Sequence, residues 1–434
     1  MKSFIRSRNL LIGAAITAFA GLGMGPAMLN GAAQAQGAGE VMVPKFEVDP
    51  FWPKPLPNNW VLAMTIGLAA DAHDNIWIVH RPQTLEQKES YLTRKEADCC
   101  TAAPDVLEFD PAGNLLRHWG RDQVRGNGHD WPSSNHGITI DKDGNVWLGG
   151  NGAYQPGAAP GSAAQFAPPP PGGTSGAVFH EGGGEKGTYH DSFILKFTPD
   201  GKFLGEIGKA NGSKGSLDTD NVKGVAQIRI LPETNELVLA DGYGNHRVSI
   251  WDAATLKFKR MWGAYGKPPT DLTIPHYDVN SPQFGNPVHC AQPSNDGLIY
   301  VCDRTNNRMQ VFKNDGTFVK QYTMETQTRG DGSIWEIAFS KDPQQKFLYI
   351  SDGANEKIHV YDRQTMKELY SFGGGGRQPG QFYAVHSIVT DSKGNLYTTE
   401  TYRGQRVQKF IYKGMVPLSS LVKQHVVGGS LINP

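Results

Sequence analysis

The chain is predicted to be all-β and to close into a six-bladed β-propeller, and three observations predict this. Short apolar runs separated by Asp-Gly and Asn-Gly turns recur along the chain. Helix-period patterning is almost absent, and 52 Gly and 28 Pro in 434 residues supply turn chemistry at the spacing an all-β array needs. The runs also group into units of about 40 to 50 residues, the period of a propeller or solenoid. Six units are counted: Ile66 to Gly120, His136 to Gly208, Val225 to Gly266, His289 to Met324, Trp335 to Gly376 and His386 to Gly414.

Most units have one grammar. An inner hairpin such as "HGITIDKDGNVWL" leads to a third strand such as "RVSIWD", "RMQVFK", "KIHVYD" or "RVQKFI", then to a turn and a fourth strand such as "FKRMWGAYG". Four short strands per unit make one blade. Ahead of the first unit, "KFEVDPFWP" alternates Phe46 and Val48 with polar neighbours. This segment is expected to pair with the last blade and close the ring, which protects the sheet edges. In blade 2 an insertion from about Gly152 to His190 is rich in Gly, Pro and Ala and cannot build a core. It is expected to be a surface loop, a flap over one end of the channel, with His180 and His190 solvated.

The first residues carry Lys2, Arg6 and Arg8, an apolar stretch from Leu10 to about Leu22, and small residues ending in Ala33-Gln34-Ala35. Residues 1–35 therefore read as a cleaved export signal and 36–434 as a periplasmic or secreted propeller without stable membrane insertion. An uncleaved anchor is the alternative, and the Gly content and Pro26 speak against it. Lys plus Arg, 42, balances Asp plus Glu, 42, so no electrostatic footprint for nucleic acid or an anionic membrane exists. Of the four cysteines, Cys290 and Cys302 lie on the two strands of one hairpin, where a bond is geometrically conceivable. Cys99 and Cys100 are adjacent; a bond between neighbours is uncommon, and free thiols or another cross-link are the alternatives.

The chemistry begins with three histidines. His136, His289 and His386 each stand eight residues before the tip glycine of an inner hairpin, Gly144, Gly297 and Gly394. They belong to units 2, 4 and 6, and alternate blades of a six-fold ring are related by about 120°, with the first strand of each lining the channel. Three imidazoles then converge with one side open, the arrangement of a catalytic zinc site. A lone histidine at a strand start is usually a packed or capping residue; three in one slot of alternate repeats point to a metal. Zinc is the default, and copper, iron or manganese take the same ligands.

The second strand of each hairpin returns to the same mouth. Arg81 is seven residues beyond Asp74, and Arg304 seven beyond Gly297. Tyr243 and Arg304 each stand four residues before the next arginine, Arg247 and Arg308, so they share a column. Two guanidiniums facing a metal suit an acidic substrate group, and a tyrosine beside them is a candidate general base, its phenol acidified by the cation and the arginines. The competing roles are the Asp-Arg pairing of the repeat for Arg304 and channel packing for Tyr243.

"DRTNNRMQVF" and "DGYGNHRVSIW" resemble NHL repeats, and the set "VHRP", "SNHGITID", "ADGYGNHR", "GNPVHC", "CDRTNNR" and "YAVHSIV" resembles peptidyl-α-hydroxyglycine α-amidating lyase over about residues 45 to 414. The resemblance implies that His136, His289 and His386 bind zinc, that Tyr243 is the base, and that Arg81 and Arg304 are active-site arginines. It implies a reaction in which zinc holds the hydroxyl of a carbinolamide, the base removes its proton, and an amide leaves as glyoxylate forms. That family has an acidic residue directly after its third histidine, tied to a structural calcium; here Ser387 stands there, so structural calcium is not implied. No copper monooxygenase domain accompanies the repeats, which widens the substrate class to other carbinolamide-like or hydroxylated acids, small or peptide-derived. Two further readings stay open: a propeller lactonase or related hydrolase, whose sites use Glu, Asn and Asp around calcium, and a non-enzymatic NHL-type binding platform.

Overall fold

Local turn chemistry builds the inner hairpins. In blades 1, 2 and 6, Asp71, Asp141 and Asp391 each accept the backbone N–H groups two and four residues on and the side-chain amide of the asparagine four residues on. The same carboxylates also accept the ring N–H of Trp77 and Trp147 and the hydroxyl of Tyr397, six residues on. These Asx turns replace a backbone turn and fix the hairpin register. The tip needs a left-handed residue, which Gly144 and Gly394 supply at φ 81° and 84°, whereas Asp74 takes that conformation in blade 1 at φ 64°.

The computed structural model describes residues 40–121, 129–154, 189–231, 233–272, 274–275 and 277–424. The expected export signal and most of the blade 2 insertion, His180 included, lie outside the described residues; His190 is half-buried. Six four-stranded antiparallel sheets follow one another around an axis. Their first strands are Met64–Ala70, Asn135–Ile140, Val225–Leu231, Val288–Pro293, Glu336–Phe339 and Val385–Thr390. Each packs beside the first strands of its neighbours, and that of blade 6 meets that of blade 1. Blade 6 ends on the N-terminal strand Met42–Asp49, which places Phe46 opposite Tyr412 and Val48 opposite Phe410. The ring closes as the alternation of that segment predicted.

Apolar side chains fill the wedges between blades. Trp147 and Ile194 of blade 2, for instance, bury against Ile228, Leu239 and Trp251 of blade 3, each such side chain contributing about 1.5–3 kcal/mol of transfer free energy. In blades 3, 4 and 6 a repeated arginine ties the blade to the loop that enters it. Arg247 pairs with Asp241 at 2.8 Å and donates to the carbonyls of Ser216 and Asn221. Arg308 pairs with Asp303 at 2.6 Å and donates to Ser281 and Gln283, and Arg406 pairs with Glu400 at 2.6 Å and donates to Gln381. The first two pairs are wholly buried, so each charge depends on its partner and removing one would strand the other.

Cys290 and Cys302, directly opposite on the first two strands of blade 4, form a disulfide. Cys99 and Cys100 are also joined, the pairing that their adjacency made the uncommon one, and among the described residues no cysteine is left to bind a metal. No helix among the described residues is long and apolar enough to cross a membrane.

Candidate metal centre

The first strand is irregular at one recurring place. Its pairing with the second strand shifts between Thr65 and Gly67, Asn135 and Ile138, Val225 and Gln227, Val288 and Cys290, and Val385 and Ile388. A bulge of this kind re-aims a side chain out of the pleat. The residues at these places are Ile66, His136, Ala226, His289 and His386, and Trp335 holds the corresponding position just before the first strand of blade 5. Even-numbered blades thus present a histidine to the axis and odd-numbered blades an apolar residue.

The three imidazoles are buried and meet, with centroid separations of 4.9 Å for His136 and His386, 4.8 Å for His289 and His386, and 5.3 Å for His136 and His289. One ring nitrogen of each lies within 4.8 Å of the others. Their Nδ1 atoms turn outward to backbone carbonyls: His136 to Ala226 at 2.7 Å, His289 to Trp335 at 2.5 Å and His386 to Ile66 at 3.1 Å. A carbonyl only accepts, so Nδ1 carries the hydrogen and the Nε2 lone pair is left for the axis. Each of these carbonyls belongs to the equivalent residue of the next, odd-numbered blade. Burial, reinforced by Arg81 and Arg304 and by imidazole neighbours, holds all three histidines well below their ordinary value and keeps them neutral, the form that ligates. Three neutral, oriented imidazoles fit zinc or a similar transition metal.

The other predicted residues gather at the same cavity, about 340 Å³ including its open mouth. The Tyr243 hydroxyl lies 3.1 Å from Nε2 of both His136 and His289, and it accepts from Arg304 Nη1 at 3.3 Å. Burial pushes its phenol above the ordinary value while Arg304 and Arg81 pull the other way, so the protein's own charges do not supply the acidification expected of them. Arg81 donates to the Asn135 carbonyl at 3.0 Å and to Asn151 Oδ1 at 2.9 Å; burial lowers its value to about 10, which leaves it charged at neutral pH. Arg304 lies 4.8 Å above the Trp335 ring and 3.6 Å from Asp331. The repeat's Asp-Arg pair is instead Asp303 with Arg308, which frees Arg304 for the cavity.

Six lining residues escaped the sequence reading: Ile66, Asn151, Asp331, Trp335, Thr401 and Tyr402. Two had a signal. Asn151 is seven residues beyond Gly144, the count that selected Arg81 and Arg304, and Tyr402 stands four before Arg406 as Tyr243 stands four before Arg247. Asp331 lies in the connection between blades 4 and 5, outside any repeat register, and nothing in the sequence pattern marks it.

Further along the first strands a buried polar cluster links blades 3, 4 and 5. Glu336 accepts from Gln227 Nε2 and Arg229 Nη2, both at 2.5 Å, and Arg229 donates to Gln292 at 2.7 Å. Ser387 hydrogen-bonds to the same carboxylate. Calcium takes six to eight oxygen ligands, whereas the carboxylate beside Ser387 is already paired with a guanidinium, so a structural calcium does not fit there.

No family model matches the chain. It is 23% identical over 391 residues to peptidyl-α-hydroxyglycine α-amidating lyase 1 of Drosophila melanogaster, spanning 85% of this chain and 60% of that protein. It is 25% identical over 280 residues to peptidyl-glycine α-amidating monooxygenase A of Xenopus laevis, spanning 63% of this chain and 24% of that protein. The chain is a distant relative of the amidating lyases. It spans less than two thirds of either relative's length. Among solved structures it is similar to a streptogramin B lyase, with a TM-score of 0.43 and 13% identity over 85% of this chain and 98% of the other. It is also similar to a catalytically inactive virginiamycin B lyase variant of Staphylococcus aureus solved with quinupristin, with a TM-score of 0.43 and 12% identity over 86% and 88%.

Proposed function

We propose that this relative of the amidating lyases is an exported, zinc-dependent carbon–nitrogen lyase that converts an N-acyl-α-hydroxyglycine-like substrate into an amide and glyoxylate. The observation that carries the reading is the convergence of three Nδ1-anchored imidazoles with a phenol and two guanidiniums at one cavity. His136, His289 and His386 would hold the zinc, which when bound supplies Lewis-acid polarisation of the substrate hydroxyl.

The remaining steps fall to the chain's own groups. Arg81 and Arg304 bind the substrate carboxylate, since both are buried and a guanidinium meets a carboxylate with two directed N–H groups. Tyr243 acts as the phenolate, which Arg304 stabilises from 3.3 Å, and becomes the neutral phenol on taking the hydroxyl proton. As the hydroxyl carbon becomes the aldehyde of glyoxylate, the C–N electron pair moves to nitrogen, which regains a proton and leaves as the amide.

The test is elemental analysis followed by incubation with α-hydroxyhippurate. One zinc per chain and equal amounts of benzamide and glyoxylate are expected. A protein without stoichiometric transition metal, or one that releases no glyoxylate, rejects the reading, and calcium in place of zinc would favour a propeller lactonase.

A further inference from the structure

Blades 3 and 6 face each other across a six-fold ring, and both send a tyrosine into the cavity from the same place in the repeat. In "DGYGNHR" and "ETYRGQR", Tyr243 and Tyr402 each follow the last acidic residue of the second strand by two positions. Tyr243 faces cations and imidazoles. Tyr402 faces a carboxylate: its hydroxyl donates to Asp331 Oδ2 at 3.2 Å, while the other oxygen of Asp331 lies 3.6 Å from Arg304 Nη2. Tyr402 holds this place in the left-handed region, at φ 50°, a conformation that a bulky residue adopts only when its surroundings fix it.

A hydroxyl has one hydrogen to give and two lone pairs to offer. With the hydrogen committed to Asp331, Tyr402 presents acceptors alone to the cavity it lines. Under the lyase reading, on which this inference rests, the substrate carboxylate goes to Arg81 and Arg304 and the substrate hydroxyl to the histidine and Tyr243 side. The amide N–H of the scissile bond and its acyl carbonyl still need partners, and of the two an acceptor such as Tyr402 can serve only the N–H, whose burial without a partner would carry a desolvation penalty. We propose that Tyr402, oriented by Asp331, accepts the hydrogen bond from that N–H and makes the site selective for secondary amides over N-alkylated ones. Tyr402 is then a specificity residue and Asp331 its positioning residue. An acceptor on the leaving nitrogen also fixes the direction in which the C–N bond points as it breaks.

The experiment uses the full metal-loaded protein, with turnover of α-hydroxyhippurate and its N-methyl analogue, and binding of the unreactive pair hippurate and N-methylhippurate. Wild type is expected to prefer the N–H member of each pair by about tenfold to a hundredfold, the worth of one desolvated hydrogen bond. Tyr402→Phe should bring the ratio close to one with zinc content and melting temperature unchanged. Asp331→Asn, which leaves the tyrosine in place but offers it a competing N–H donor, should also shrink the ratio. A wild type that binds and cleaves but does not discriminate overturns the acceptor role alone, as does a Tyr402→Phe protein that keeps the full ratio. A wild type that neither binds hippurate nor cleaves the substrate overturns the lyase reading and this inference with it.

Discussion

Odd-numbered and even-numbered blades use one backbone device for opposite purposes. In blades 2, 4 and 6 the residue re-aimed at the start of the first strand is His136, His289 or His386, and its side chain is what matters. In blades 3, 5 and 1 the equivalent residue is Ala226, Trp335 or Ile66, and what matters is its carbonyl, which receives the Nδ1 hydrogen of the preceding histidine. Alternation around the ring thus yields three imidazoles and the carbonyls that orient them from a single repeat, and only half of that is written in side chains.

The comparison breaks most visibly on an even blade. His289→Ala should lose stoichiometric zinc and lower turnover by about a thousandfold or more, because the cation's contribution of several kcal/mol goes with it. Metal analysis beside the glyoxylate assay checks this, and retention of zinc would mean that the three rings do not act as one site. Tyr243→Phe, on an odd blade, should keep the metal while turnover falls by about a hundredfold to ten-thousandfold, the usual worth of a general base. Full activity in that variant would remove Tyr243 from the chemistry.

The backbone half of the comparison is tested by glycine. A Cβ on Gly67 would lie 2.2 Å from the carbonyl oxygen of His136, so Gly67→Ala must displace either the odd strand that orients His386 or the even strand that carries His136. The expected loss is about tenfold to a hundredfold in zinc affinity, the scale on which groups behind a ligand act. Gly149→Ala, on the second strand of blade 2, meets only ordinary contacts at 3.4–3.5 Å and should bind zinc as wild type does. Competition with a chromophoric chelator separates the two, and equal affinities would show that the orienting carbonyls tolerate movement.

These roles also mark where the sequence was legible. Repeat period, hairpin tips and the closing strand follow from alternation and turn residues, which are local; counts from the tips picked out the three histidines, Arg81 and Arg304, and a count back from Arg247 picked out Tyr243. Ala226, Ile66 and Trp335 were invisible because any residue offers the carbonyl they contribute. Asp331 was invisible for a different reason: it comes from an inter-blade connection with no repeat to count along. The raised phenol of Tyr243 was missed because burial, which depends on all six blades at once, outweighs the neighbouring charges that the sequence did disclose.

The smallest expected effect concerns the scaffold of an odd blade. Blades 3 and 4 hold the acid at the end of the second strand with arginine, whereas in blade 5 His359 lies beside Asp352 at 3.4 Å and Glu368 at 2.8 Å. Burial works against the imidazolium, but hydrogen bonds and attraction from the two carboxylates win and raise His359 to about 9. Because the folded value lies above the unfolded one of 6.5, the pair's contribution is complete below pH 6.5. It fades as pH rises and is lost above pH 9, with an upper bound of about 3 kcal/mol. Thermal melts between pH 6 and 10 should therefore show wild type losing its advantage over His359→Gln across that window. The activity ratio at pH 7 should stay near one, because the clamp supports blade 5 without touching the cavity. A constant difference in melting temperature from pH 6 to 10 would mean that the charge on His359 does not support blade 5.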